Sequence, residues 1–133
     1  MSSSNVLKFI KEKEAEFVDL RFTDPRGKLQ HLTMDSTIVD KDMLEEGVFF
    51  DGSSIAGWKA INESDMILKP DTNRMFMDPF TSHNTLVLFC DILDAVKKTP
   101  YERDPRGIAK KAEEFLKSSG VGDKAFFGPE PEF

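Results

Sequence analysis

The sequence predicts an α+β fold, and three observations carry that expectation. Two alternating apolar segments flank Asp24-Pro25-Arg26-Gly27, a nearly unbroken apolar run covers Thr85 to Leu93, and a helical period follows Asp104. Alternation at period two marks half-buried strands, a continuous run marks a strand covered on both faces, and a three-to-four spacing marks a helix with one apolar stripe. The 133 residues are the length of about one domain. Hydrophobic residues form 39% of them, twelve being phenylalanine, which is enough for a core.

Taken in order, Ser4 or Asn5 is placed to cap a helix with Val6, Leu7 and Ile10 on one face and Lys11 to Glu14 toward solvent. Val18, Leu20 and Phe22 alternate with Asp19 and Arg21, stop at the Pro25-Gly27 turn and resume at Leu29 to Met34, a β-hairpin. Asp40 caps a short helix through Met43 and Leu44 that Gly47 can end. Phe49 to Trp58 has a small, polar centre between large apolar residues and is expected to be a loop. Two short strands follow, Met66 to Leu68 and Arg74 to Met77, then the central strand Thr85 to Leu93. Asp104-Pro105 opens a helix with Ile108, Ala112, Phe115 and Leu116 on one face, and Gly120 sits where it can end. Residues 125–133 read as an apolar strand.

Lys plus Arg number 18 against 24 acids, a net charge of −6, which argues against nucleic acid or an anionic membrane as partner. No apolar run nears the roughly 20 residues of a membrane span, and Met1-Ser2-Ser3-Ser4-Asn5 lacks the features of a secretory signal, so a cytoplasmic protein is expected. The single cysteine, Cys90, lies in an apolar run and reads as a buried thiol. His31 and His83 have no evident acidic partner in sequence and read as structural or surface residues.

Two places could carry chemistry. Pro129 and Pro131 bar a helix and favour extended backbone, so Glu130 and Glu132 share a face about 6.6 Å apart. Two such carboxylates either bind hard divalent cations, one each, or form a solvated acidic turn. Asp51 follows Phe49-Phe50 and precedes Gly52-Ser53-Ser54. It can bind a small cation or accept a proton, or it can simply close an Asp-Gly turn with serine hydroxyls. Trp58, the only tryptophan, reads as a core or interface anchor.

In combination, Phe50-Asp51-Gly52-Ser53-Ser54-Ile55 with Gly57-Trp58, Asn62-Glu63-Ser64-Asp65-Met66, Arg103-Asp104-Pro105-Arg106 and Phe127-Gly128-Pro129-Glu130-Pro131-Glu132-Phe133 resemble bacterial type I glutamine synthetase. The resemblance runs in order from about Phe17 to the last residue. It implies a β-grasp-like N-terminal domain over 1–103 and, over 104–133, the first helix and strand of a larger, truncated catalytic domain. It implies an enzyme that joins ammonium to glutamate with ATP through γ-glutamyl phosphate, with Mg²⁺ or Mn²⁺ as cofactor, while the present residues alone are expected to be inactive.

By the same resemblance Asp51 is the catalytic acid that binds ammonium and helps remove its proton, Ser54 lines that pocket, and Glu130 and Glu132 ligate metal. The loop carrying Asp51 would complete the site of an adjacent subunit in a homo-oligomer, a dodecamer in the family. Ala56 stands where glycine is usual and Gly107 where serine is usual. Two other expectations are a related ligase acting on another amine and a non-catalytic β-grasp interaction module.

Overall fold

The computed structural model describes residues 2–58 and 64–132. Helix α1 (Ser3–Glu12) is followed by β1 (Phe17–Thr23), β2 (Leu29–Asp35), α2 (Lys41–Glu46), β3 (Val48–Asp51), β4 (Asp65–Met77), β5 (Thr85–Asp94) and α3 (Pro105–Ser118). Short 3-10 turns lie at Ser36–Ile38 and Gly52–Ser54. The strands form one sheet in the order β2-β1-β5-β4-β3. The expected central strand is thus the middle of five, parallel to β1 and antiparallel to β4.

The β1–β2 hairpin pairs Phe17 with Asp35 through Thr23 with Leu29. Its turn closes by Gly27 N–H to Asp24 carbonyl at 3.0 Å, with Gly27 at φ 85°. The Asp24 carboxylate also accepts the Arg26 and Lys28 amides and the Gln30 side chain, so a buried acid is satisfied inside the turn. Asp40 caps α2 by accepting from Met43 N–H at 2.7 Å, and Gly47 at φ 90° ends that helix. Val6, Ile10 and Leu44 from α1 and α2 pack on Val18, Leu20, Phe22, Leu68, Leu86, Leu88 and Ile92 of the sheet.

Several expectations need correction. Helix α1 starts two to three residues earlier than expected, after Ser2, where the Asn5 and Val6 amides reach the Ser2 carbonyl. Residues 48–51 form an edge strand, not a loop, since their backbone ladders onto β4 from Val48↔Leu68 to Asp51↔Asp65. The two short strands are one: β4 runs on through Pro70, with a register break from Pro70↔Cys90 to Met75↔Leu88. Pro70 is tolerated because β3 pairs only with residues 65–68, leaving no acceptor waiting for the missing N–H.

The apolar stripe of α3 is not buried: Ile108 and Phe115 are 55% and 72% exposed. Polar ties hold this helix instead. Arg106 bridges Asp71 at 2.8 Å and Asp91 at 3.0 Å, and Lys110 also reaches Asp91. Asp104 caps the helix through Arg106 N–H, and Gly120 at φ 73° follows its end. Residues 123–132 join no ladder and are exposed throughout, so the strand expected there is not formed. A strand needs a neighbour for its backbone groups, and none of the described residues provides one.

Candidate functional site

Asp51 is the last residue of β3 and the cap of the Gly52–Ser54 turn. Alternation along β3 puts Val48 and Phe50 toward the core and leaves Phe49 and Asp51 exposed. The Asp51 carboxylate accepts the Ser53 amide at 2.9 Å and the Ser53 hydroxyl at 2.6 Å. The Ser53 hydroxyl and amide hold the carboxyl below its ordinary value, with smaller help from the hydroxyls of Ser64 and Ser54. Asp51 is therefore ionised at neutral pH, in a fixed orientation, with its outer side open to solvent.

The turn can follow the strand so closely because residue 52 is glycine. A Cβ there would lie 2.2 Å from the Met66 sulfur and 2.9 Å from the Ser64 carbonyl oxygen. The Gly52 amide meanwhile donates to that Ser64 carbonyl at 2.7 Å. The antiparallel register sets Asp65 opposite Asp51, so two acids flank each other at this sheet edge.

The turn continues into Ile55 and Trp58. Trp58 is buried against Phe22, Phe50 and Tyr101, at centroid separations of 5.8, 6.0 and 6.1 Å. Its indole N–H has no partner in the described structure. The Tyr101 hydroxyl donates to the Trp58 carbonyl at 3.1 Å, and Arg103 Nη1 donates to the Gly57 carbonyl at 3.0 Å.

Of the residues singled out from sequence, Asp51 and Ser54 meet in this turn, which the Asp51 carboxylate closes onto Ser53. Glu130 and Glu132 lie elsewhere, exposed in the segment after α3. Asn62 and Glu63 of the quoted motifs fall outside the described residues. The serine closure of the turn by Ser53 was foreseen, whereas no role was foreseen for Ser64, Tyr101 or Arg103, although Ser64 and Arg103 lie in the quoted motifs.

Both histidines lie at the surface, as expected, but with acidic neighbours that the sequence did not reveal. His31 Nδ1 lies 2.9 Å from Asp19 and His83 Nδ1 lies 3.2 Å from Glu16, so each has an acidic partner. Buried Asp19 also accepts Thr33 Oγ1 at 2.7 Å and Arg21 Nε at 2.8 Å. Burial alone would raise its carboxyl, yet these three neighbours outweigh it and hold the value low. Cys90 is buried, as expected, and desolvation pushes its thiol far up, which makes it inert.

The five strands form one mixed sheet in the order β2-β1-β5-β4-β3, and residues 14–95, which contain all five, match the family model described as glutamine synthetase, beta-Grasp domain. The chain belongs to the glutamine synthetase family through this domain. It is 64% identical over 132 residues to a glutamine synthetase of Rhizobium meliloti (strain 1021), covering 99% of this chain and 28% of that protein. It is 55% identical, with the same coverage, to a Cupriavidus pinatubonensis protein named 3-hydroxylaminophenol mutase. A cryo-EM structure of Plasmodium falciparum glutamine synthetase superposes with a TM-score of 0.81 at 27% identity, covering 90% of this chain and 23% of that one. The chain thus spans 28% of the length of the two bacterial relatives and 23% of the Plasmodium chain.

Proposed function

We propose that this chain supplies the N-terminal part of an ATP-dependent glutamate-ammonia ligase, with a β-grasp domain over 1–103 and the start of a catalytic domain from 104. The observation that carries the reading is the ionised Asp51 on a serine-closed turn at the sheet edge, in a chain of glutamine synthetase descent. Its charge attracts ammonium, and the Ser54 hydroxyl offers a neighbouring oxygen. A carboxyl held low binds a cation well but is a weak base. Ammonium has no lone pair, so one of its protons must pass to Asp51 before the ammonia left behind attacks the γ-glutamyl phosphate carbonyl carbon; the carbon–oxygen bond to phosphate then breaks, phosphate leaves and the nitrogen gives up a further proton. Ammonia, glutamate and ATP are the substrates in this reading, and a cytoplasmic homo-oligomer, a dodecamer by family, is the working form.

Glu130 and Glu132 would hold Mg²⁺ or Mn²⁺. Carboxylates are the right kind of donor, and both are exposed and free of helical constraint. Their number is too small for a six-oxygen shell, and among the described residues no group of three or more acids, histidines or cysteines is placed to hold a metal ion. The remaining donors then come from the part of the enzyme that this chain does not span. When bound, a divalent cation neutralises charge on the transferring phosphoryl group. The 133 residues alone should form no glutamine.

Asp51→Asn in the full-length enzyme tests the reading. The apparent KM for ammonium should rise and kcat fall, with ATP and glutamate constants nearly unchanged. Wild-type ammonium kinetics in the folded variant would reduce Asp51 to a turn residue. A second reading has support in the Cupriavidus relative, which is named a mutase. A β-grasp domain this similar accompanies a different named activity, so another amine or another reaction is the alternative. Assay of the full-length protein with ammonium, other amines and 3-hydroxylaminophenol separates the two.

A further inference from the structure

We infer that Tyr101 and Arg103 are positioning residues for the Asp51 turn, so that the link between β5 and α3 is a working part of the site. This rests on the ammonium reading of Asp51 given above. The hydrogen bonds that Asp51 accepts from Ser53 shape the turn but do not fix where the turn sits relative to the rest of the molecule. At its entry the turn is fixed by the Gly52 amide on the Ser64 carbonyl and by the Gly52–Met66 approach. At its exit the chain reverses through Gly57 at φ 93°, and two successive carbonyls, of Gly57 and Trp58, are taken by the side chains of Arg103 and Tyr101.

The link that provides these donors is itself anchored. The Tyr101 amide donates to the Ile92 carbonyl at 2.8 Å, and Leu93 bridges Pro100. The buried Asp104 accepts the Ile92 amide at 3.1 Å. A continuous set of bonds therefore runs from the middle strand, through residues 100–104, to the exit of the turn. The Tyr101 ring also packs edge-on against Trp58, so its hydroxyl is aimed by packing as well as by backbone. Local sequence contains no reason for these contacts. Tyr101 and Arg103 lie more than forty residues from the carbonyls they hold.

The test uses full-length enzyme carrying Tyr101→Phe, which removes only the hydroxyl, Arg103→Ala, and Arg103→Lys, which keeps a donor. Losing one such bond should raise the ammonium KM by about three- to tenfold, with ATP and glutamate KM within about twofold of wild type. Arg103→Lys should recover part of the loss. Hydrogen exchange of the amides at 53–58 should quicken in Tyr101→Phe and Arg103→Ala while β5 amides stay protected. Unchanged ammonium KM and unchanged exchange in a folded Tyr101→Phe and Arg103→Ala would overturn the inference, as would an equal rise in all three constants. Asp51→Asn run in parallel separates the two ideas. If it raises the ammonium KM and the tether variants do not, only the positioning role fails; if Asp51→Asn is itself silent, both fail.

Discussion

Asp104 accepts the backbone N–H of Ile92 with one carboxylate oxygen and the N–H of Arg106 with the other, at 3.1 and 3.0 Å. One buried side chain thereby ties a strand to the start of a helix. Asp104→Ala removes a cap and leaves a strand amide without its acceptor, which should cost about 2–4 kcal/mol. Asp104→Asn can keep the cap, but its amide nitrogen would face the Ile92 N–H, donor against donor, so it recovers only part of that loss. Urea unfolding midpoints of the three proteins check the order.

The carboxyls of Asp19, Asp71 and Asp78 are held below their ordinary value, because the hydrogen bonds and positive charges around them outweigh burial. A folded value below the unfolded one adds stability that is full above the unfolded value and disappears as pH falls through the folded value. Asp104 has the opposite sign, since burial raises it, and its contribution is lost as pH rises through its folded value. Among the described residues Asp24, Asp35, Asp51 and Glu113 are lowered as well, so the lowered carboxyls outnumber the raised Asp104. The urea midpoint should fall steeply below about pH 4, and Asp19→Asn should show a lower midpoint with a shallower acid limb.

Cys90 should resist modification. With the thiol buried and its ionisation suppressed, Ellman's reagent at about pH 8 should find no reactive sulfur in the native protein and one per chain after unfolding. Labelling at the rate of a free thiol under native conditions would contradict the packing of β5.

Two glycines should respond oppositely to alanine. Gly52→Ala drives a Cβ into the Met66 side chain and the Ser64 carbonyl, and the backbone oxygen has little room to yield. A loss of about 1–3 kcal/mol is expected. In α3, a Cβ at Gly107 meets nothing closer than 3.6 Å, and alanine favours helix over glycine, so Gly107→Ala should gain up to about 1 kcal/mol.

The stripe of α3 and the segment beyond it leave Phe115, Val121, Phe126 and Phe127 between 72% and 92% exposed. The 133-residue chain should bind an apolar dye, and Phe126→Ser with Phe127→Ser should cut the fluorescence gain to less than about half. Dye binding unchanged by this pair would put the apolar surface elsewhere.

What the residues revealed in advance was whatever has a local cause. The Asp24–Gly27 turn, the Asp40 and Asp104 caps and the apolar run of β5 each follow from neighbours within a few positions. Strand β3 was hidden because Gly52-Ser53-Ser54 dominates the composition around it, and the ladder to β4 that makes it a strand is not local. Pro70 disguised the continuity of β4, since whether proline breaks a strand depends on whether a neighbour needs its N–H. Asp51 was legible as a candidate, whereas the tether from Tyr101 and Arg103 and the carboxylate partners of both histidines depend on pairing that only the folded sheet creates.

The parallel ladder of β1 and β5 joins Phe17 to Thr85, the first strand to the last. The hairpin β1–β2 can form early from neighbouring chain, but the middle of the sheet closes only when β5 is present, after a long loop has been gathered in. On the ribosome the domain therefore cannot complete its core until Asp94 has cleared the exit tunnel. Until then Val18, Leu20 and Phe22 have one face without a partner. Completion of the core is therefore a late event in the synthesis of this domain, and nascent chains released before residue 94 should carry the β1–β2 hairpin without a closed sheet.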